Sequence, residues 1–232
     1  LDIARGMQAL AMSKIAHRDL KPQNVLLCED QETGELTAKV ADMGLSYSTD
    51  LLRRVWGTNL PLPKTSGTML WMAPERVLPQ SENADELTQD DLLLSELYSF
   101  GLICWQVLSA CVTGTFELPY IATYGIKTAD DFVSLLLNKR VSPLIQLSKK
   151  DFPAVPASLC SLVNSLLMID PAGRTRWDRC VQVLEQSAAA TARLPLTHAG
   201  HHREETRSAR SAGTGRRQML PPQQLISMET RP

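Results

Sequence analysis

At 232 residues, 44% hydrophobic and 21% charged, the chain is long enough for one sizeable core and has ordinary globular composition. Its net charge of −1 hides an asymmetry, because residues 187–232 hold seven Arg and three Glu and leave residues 1–186 net acidic; neither balance is that of a nucleic-acid binder. The five cysteines are odd in number and never spaced C-x-x-C, which argues against a disulfide framework or a zinc site and for a reducing compartment.

Leu1, Ile3, Ala4, Met7 and Leu10 have helical spacing and predict a helix over about 1–13. A chain that opens inside a helix without Met is read as part of a longer parent, with no signal peptide visible. A polar loop, His17 to Asn24, precedes the apolar run Val25 to Cys28. With Gly34 as a turn residue before Leu36 to Val40, residues 25–40 predict a hairpin. From Ser46 to Thr68 no period is sustained, and a long functional or mobile loop is expected. An acidic stretch from Ser81 to Asp91, with Glu82, Asp85, Glu86 and Asp90, is read as a solvated loop.

The run Leu92 to Val112 approaches membrane length, but Ser95, Glu96, Ser99 and Gln106 interrupt it, so a buried helix over about 92–110 is expected and no membrane span. A polar connection at about 111–128 and helices near 129–138, 159–168 and 176–186 follow. Beyond Gln186 the apolar periodicity is lost, which predicts a disordered basic tail whose His201-His202 pair is solvated. The fold class is mainly α, with one short β-hairpin carrying two functional loops.

The strongest chemical signal is His17-Arg18-Asp19-Leu20-Lys21-Pro22-Gln23-Asn24, directly before an apolar strand. Such a loop gathers a carboxylate, a cation and an amide oxygen in one small volume. Phosphoryl transfer needs that set: a proton acceptor, a positive charge on the transferring group and oxygen ligands for magnesium. The second hairpin strand ends in Ala41-Asp42-Met43-Gly44, which supplies another carboxylate beside a sharp turn, and Gly67-Thr68-Met69-Leu70-Trp71-Met72-Ala73-Pro74-Glu75 follows.

Taken in order, H-R-D-L-K-P-x-N, D-x-G and A-P-E resemble the motifs of the eukaryotic protein kinase family. The resemblance covers about residues 1–186 and continues in Glu96-Leu97-Tyr98-Ser99-Phe100-Gly101 and Asp170-Pro171-Ala172-Gly173-Arg174. It implies the helical C-terminal lobe of a kinase domain, with Asp19 as catalytic base, Lys21 on the γ-phosphate, and Asn24 and Asp42 as ligands for magnesium or manganese. Leu26 would pack beneath the adenine of ATP. Thr68 would bond Asp19 and Lys21 in the substrate platform, and Arg18 would pair with a phosphate on Ser46, Ser48, Thr49, Thr58, Thr65 or Ser66. His17 is implied as a hydrogen-bonded support, and Glu75 with Arg174 as a buried ion pair.

Lys21 with Thr68 resembles serine/threonine kinases, and the W-M-A-P-E and Y-S-F-G segments resemble the tyrosine kinase-like group. The implied partners are a protein substrate, ATP and an N-terminal lobe in the parent, on the cytoplasmic side if that parent is membrane-anchored and otherwise in the cytoplasm. Three departures stand out. Met43 replaces the Phe of D-F-G, an apolar exchange that activity should survive. Glu96 replaces an Asp that holds the catalytic-loop backbone, which predicts looser positioning. No Gly-rich loop, V-A-I-K lysine or partnering helix Glu occurs in these residues, so the fragment alone is expected to be inactive. The alternative is a pseudokinase or truncated scaffold that presents the helical lobe to protein partners.

Overall fold

The computed structural model describes residues 1–48, 66–78, 87–138, 146–150 and 152–192. This part is mostly helical with one two-stranded sheet. In chain order its elements are α1 (Asp2–Met12), β1 (Val25–Glu29), β2 (Leu36–Val40), α2 (Pro74–Val77), α3 (Gln89–Thr113), α4 (Pro119–Tyr124), α5 (Ala129–Asn138), α6 (Ala157–Leu166) and α7 (Trp177–Ala192).

Helix α3 organises the rest. Thr88 opens it with a capping box: its hydroxyl accepts from the Asp91 N–H, and the Asp91 carboxylate accepts from the Thr88 N–H. These caps, rather than the apolar run, set the boundary, so the helix starts at Gln89 instead of about residue 92. It is long and apolar enough to cross a membrane by length and composition, yet Leu97, Tyr98, Phe100, Leu102 and Ile103 are buried in the common core. Helix α6 packs on α3, α7 packs on α6 and α1, and α1 also lies against β2. A Cβ at Gly101 would sit 2.8 Å from Leu166 Cβ and 3.0 Å from Leu167 Cδ2, so the missing side chain is what lets α3 approach α6 closely.

The hairpin pairs Val25 with Val40 and Glu29 with Leu36, antiparallel. Its turn is made by Asp30, whose Oδ1 accepts from the N–H groups of Glu32 and Thr33 at 3.0 and 2.8 Å. The Ala38 N–H donates to the Asp2 carboxylate at 3.1 Å and fastens β2 to the start of α1. Along the hairpin Leu26 is exposed on one face and Leu27 and Leu36 on the other.

Two further expectations are corrected. The polar connection after α3 contains a helix, α4, too short to show a period in sequence; its Tyr120 hydroxyl meets that of Tyr98 at 2.6 Å, and its ring stands edge-on to Phe132. Helix α7 runs past Gln186 to Ala192, because Ala188, Ala189 and Ala190 favour helix intrinsically while showing no apolar stripe. The candidates Thr49, Thr58 and Thr65, the acidic Glu82, Asp85 and Glu86, and His201-His202 lie outside the described residues. All five thiols are free, and burial pushes those of Cys104 and Cys180 up to about 12, leaving them protonated at neutral pH.

Gly101→Ala tests the close approach. Alanine is favoured over glycine within a helix by about 1 kcal/mol, whereas overpacking a core costs about 1–3 kcal/mol. The overlap with Leu166 Cβ, a rigid stem atom, is expected to win, and urea unfolding should show a net loss of stability.

Candidate active site

The catalytic-type loop is held from three sides. Ala16 and Tyr47 exchange backbone hydrogen bonds at 2.9 and 2.8 Å, which seats the loop beside the segment that follows β2. His17 is fully buried; its Nε2 donates to the Ala41 carbonyl at 2.8 Å, and Nδ1 accepts from the Asp19 N–H at 3.3 Å. The ring therefore ties the residue before Asp42 to the backbone of Asp19. Arg18 has a φ of 73°, a left-handed conformation that an L residue with a long side chain rarely adopts. Its N–H donates to Glu96 Oε1 at 2.8 Å and its carbonyl accepts from Arg76 Nη1 at 3.0 Å. The longer side chain of Glu96 thus reaches the loop at an ordinary distance, and the expected loosening is not seen at that bond. Its other oxygen, Oε2, has no hydrogen-bond partner among the described residues.

The turn at Arg18 aims Asp19 into a set of donors. Oδ1 accepts from the Thr68 N–H at 2.8 Å; Oδ2 accepts from Lys21 Nζ at 2.8 Å and Asn24 Nδ2 at 3.1 Å. Lys21 Nζ also donates to the Thr68 hydroxyl at 2.6 Å. Burial alone would push the Asp19 carboxyl up, but the hydrogen bonds from Lys21 and Thr68 together hold it below the ordinary aspartate value. It is therefore ionised throughout the neutral range. Gly67 makes the approach of Thr68 possible: its φ is 118°, and a Cβ there would lie 2.5 Å from the Arg18 carbonyl oxygen.

Asn24 and Asp42 lie at the same end of the hairpin, since the Ala41 N–H donates to the Asn24 carbonyl at 2.9 Å, one step beyond the Val25–Val40 pair. Asn24 is buried and spends Nδ2 on the carbonyl and carboxylate of Asp19, which turns its amide oxygen to other uses. Asp42 has a φ of 63° and caps the turn at Met43–Leu45, with Oδ1 accepting from the Gly44 N–H at 3.2 Å. One carboxylate and one amide oxygen suit magnesium, a hard cation commonly held by one or two protein oxygens together with substrate phosphates. The described residues contain no cluster of three His, Cys, Asp or Glu able to hold a metal ion. Leu26, expected beneath adenine, is 54% exposed on β1, and Met43, after β2, is 44% exposed.

Arg18 is buried, with Nη1 on the Leu45 carbonyl at 3.4 Å, Nη2 on the Ser66 hydroxyl and its guanidinium 6.0 Å from the Tyr47 ring centre. Of the other described phosphorylation candidates, Ser46 bonds Met43 Sδ and Ser48 is buried. Arg174 and Glu75 form a bidentate pair at 2.6 and 2.8 Å. Arg174 also donates to the carbonyls of Met168, Leu94 and Ile169 and lies 5.0 Å from the Tyr98 ring centre. One residue at the site escaped the sequence reading. Arg76, next to Glu75, is 3% exposed and bonds the carbonyls of both Arg18 and Ser66, at 3.0 and 2.5 Å. Nothing in an arginine following A-P-E marks it as buried; only its contacts do.

A model of the protein kinase domain matches residues 1–184, and the chain belongs to that family. The serine/threonine/tyrosine-protein kinase HT1 of Arabidopsis thaliana is 28% identical over 204 residues, 85% of this chain and 41% of that protein. The RAF proto-oncogene serine/threonine-protein kinase of Xenopus laevis is 30% identical over 157 residues, 66% of this chain and 21% of that protein. The chain thus spans well under two thirds of the length of these relatives.

Two outcomes are expected. Arg174→Met strands Glu75 in the core and should cost about 3–5 kcal/mol in chemical unfolding, the usual penalty for an orphaned buried charge. Because the folded value of Asp19 is depressed, its contribution is complete above the ordinary aspartate value of about 3.9 and is lost as pH falls through the lower folded value. Unfolding midpoints of wild type and Asp19→Asn should therefore stay a constant distance apart from pH 5 to 8, near neutrality, and change their separation only at more acid pH.

Proposed function

We propose that this chain is the helical C-terminal lobe of a serine/threonine protein kinase of the tyrosine kinase-like group, and that the longer protein transfers the γ-phosphoryl group of ATP to protein hydroxyls. The observation that carries this reading is the Asp19 carboxylate, held ionised and aimed by Thr68 N–H, Lys21 Nζ and Asn24 Nδ2. As a substrate hydroxyl oxygen bonds to phosphorus and the bond to the leaving diphosphate breaks, Asp19 takes the hydroxyl proton. Lys21 is close enough to that carboxylate to place its charge on the transferring group. Asn24 and Asp42 would hold magnesium, which when bound offsets the negative charge of the phosphates.

Thr68 bonds both Asp19 and Lys21 and so fixes the floor on which a serine or threonine would rest. Arg18 is the arginine through which loop phosphorylation would act, and the Ser66 hydroxyl already meets its guanidinium. The exposed Leu26, Leu27 and Leu36 of the hairpin and Met43 after it support a further lobe seated over the hairpin, and the greater length of the relatives agrees with it. Residues 1–232 alone are then expected to bind ATP poorly and transfer phosphate negligibly.

The test uses the full-length protein. Asp19→Asn should abolish γ-phosphate transfer to a protein substrate while the thermal melt stays close to wild type, and Asp42→Ala should remove magnesium-dependent nucleotide binding. Wild-type transfer by Asp19→Asn would refute the assignment of the proton acceptor. Absence of both nucleotide binding and transfer in the wild type would favour the scaffold reading.

A further inference from the structure

The peptide of Arg18 is gripped at both ends by buried, oppositely charged side chains from two different helices. On one side Glu96 of α3, 2% exposed, accepts from the Arg18 N–H at 2.8 Å. On the other, Arg76 of α2, 3% exposed, donates from Nη1 to the Arg18 carbonyl at 3.0 Å. Nη2 of the same guanidinium holds the Ser66 carbonyl at 2.5 Å, directly before the Gly67-Thr68 pair that touches Asp19. One guanidinium therefore joins the loop that carries Asp19 to the segment that supplies a donor to it.

Strain gives this grip its purpose. A residue held at a φ of 73° against its own Cβ is strained and persists only where its surroundings impose it. Two buried charges also require each other. Burial pushes the Glu96 carboxyl up, and the charge of Arg76 is the strongest influence opposing it, ahead of the Arg18 N–H, His17 and the Arg18 side chain. Burial likewise pulls Arg76 down, and Glu96, Glu75 and Asp19 oppose it. Glu96 Oε2 and Arg76 Nε lack hydrogen-bond partners among the described residues, so the attraction between the two groups acts across space while their remaining atoms grip the backbone.

We propose that Arg76 is a positioning residue for phosphoryl transfer: with Glu96 it forms a charge-balanced clamp on the Arg18 peptide, and without it Asp19 loses its aim. The clamp rests on the reading of Asp19 as proton acceptor. Arg76 touches no reacting group; it acts through the backbone of Arg18 and through Ser66.

In the full-length protein Arg76→Met should lower kcat by about 10²-fold, the scale of a 1 Å misplacement, with KM for ATP and substrate little changed. Hydrogen–deuterium exchange should accelerate at the Arg18 amide while amides in the middle of α3 stay protected. Arg76→Lys, which keeps the charge but lacks the fork needed for both carbonyls, should fall between wild type and Arg76→Met. Arg76→Met combined with Glu96→Gln should lose less kcat than the two single losses multiplied, because removing both charges strands neither. A folded Arg76→Met protein with wild-type exchange at Arg18 overturns the clamp, whatever its activity. If Arg76→Met does not fold, wild-type exchange at Arg18 in Arg76→Lys overturns it. A wild type that transfers no phosphate defeats the kinase reading instead, and exchange at Arg18 still decides the clamp.

Discussion

The left-handed peptide of Arg18 is the joint on which the site turns. Straightened into the extended or helical region, this residue would carry the Asp19 carboxylate away from Thr68, Lys21 and Asn24, and those donors would lose their common acceptor. Local preference opposes the turn, so tertiary contacts must impose it. They come from α3 through Glu96, from α2 through Arg76, and from the segment after β2 through His17 and Ala41. The site is thus a strained loop held by a helical body, an arrangement in which folding free energy maintains the geometry around Asp19.

That body is held together for identifiable reasons. Gly101 brings α3 and α6 to within a distance that a methyl group would forbid. Arg174 reaches from the turn before α7 to Glu75 on α2 and places its nitrogens on three carbonyls as well, leaving a buried charge fully satisfied. Since Glu75 precedes Arg76, the same short helix is pinned to the core by one side chain and grips the catalytic-type loop with the next. Displacing α2 would disturb Arg18, Ser66 and the Gly67-Thr68 approach together.

Glu96, where the resembling kinase motif has aspartate, meets the Arg18 N–H at an ordinary hydrogen-bond distance. The longer arm delivers an oxygen to the Arg18 N–H, while the second carboxylate oxygen is buried without a hydrogen-bond partner among the described residues, which is costly. A nearby guanidinium offsets part of that cost by its charge.

Much of the site was legible in the sequence because its chemistry is local. Asp19, Lys21 and Asn24 lie within six residues, and their mutual reach follows from one loop; the hairpin follows from two apolar runs around a glycine turn. Apolar spacing also located α1, α3, α5, α6 and α7, though not the start of α3, which polar caps decide, nor α4, which is too short to show a period. Family motifs singled out Thr68, Glu75, Glu96 and Arg174 before their neighbours were known. By itself, then, the sequence determined the family, the hairpin and the longer helices, and it singled out the candidate reacting groups. Only the tertiary structure decided that Arg18 is strained, that Glu96 still reaches it and that Arg76 is buried upon it. The physical reason is that these are contacts between residues 58 to 78 positions apart, where burial and charge balance are properties of the assembled core and leave no periodic or local trace in the chain.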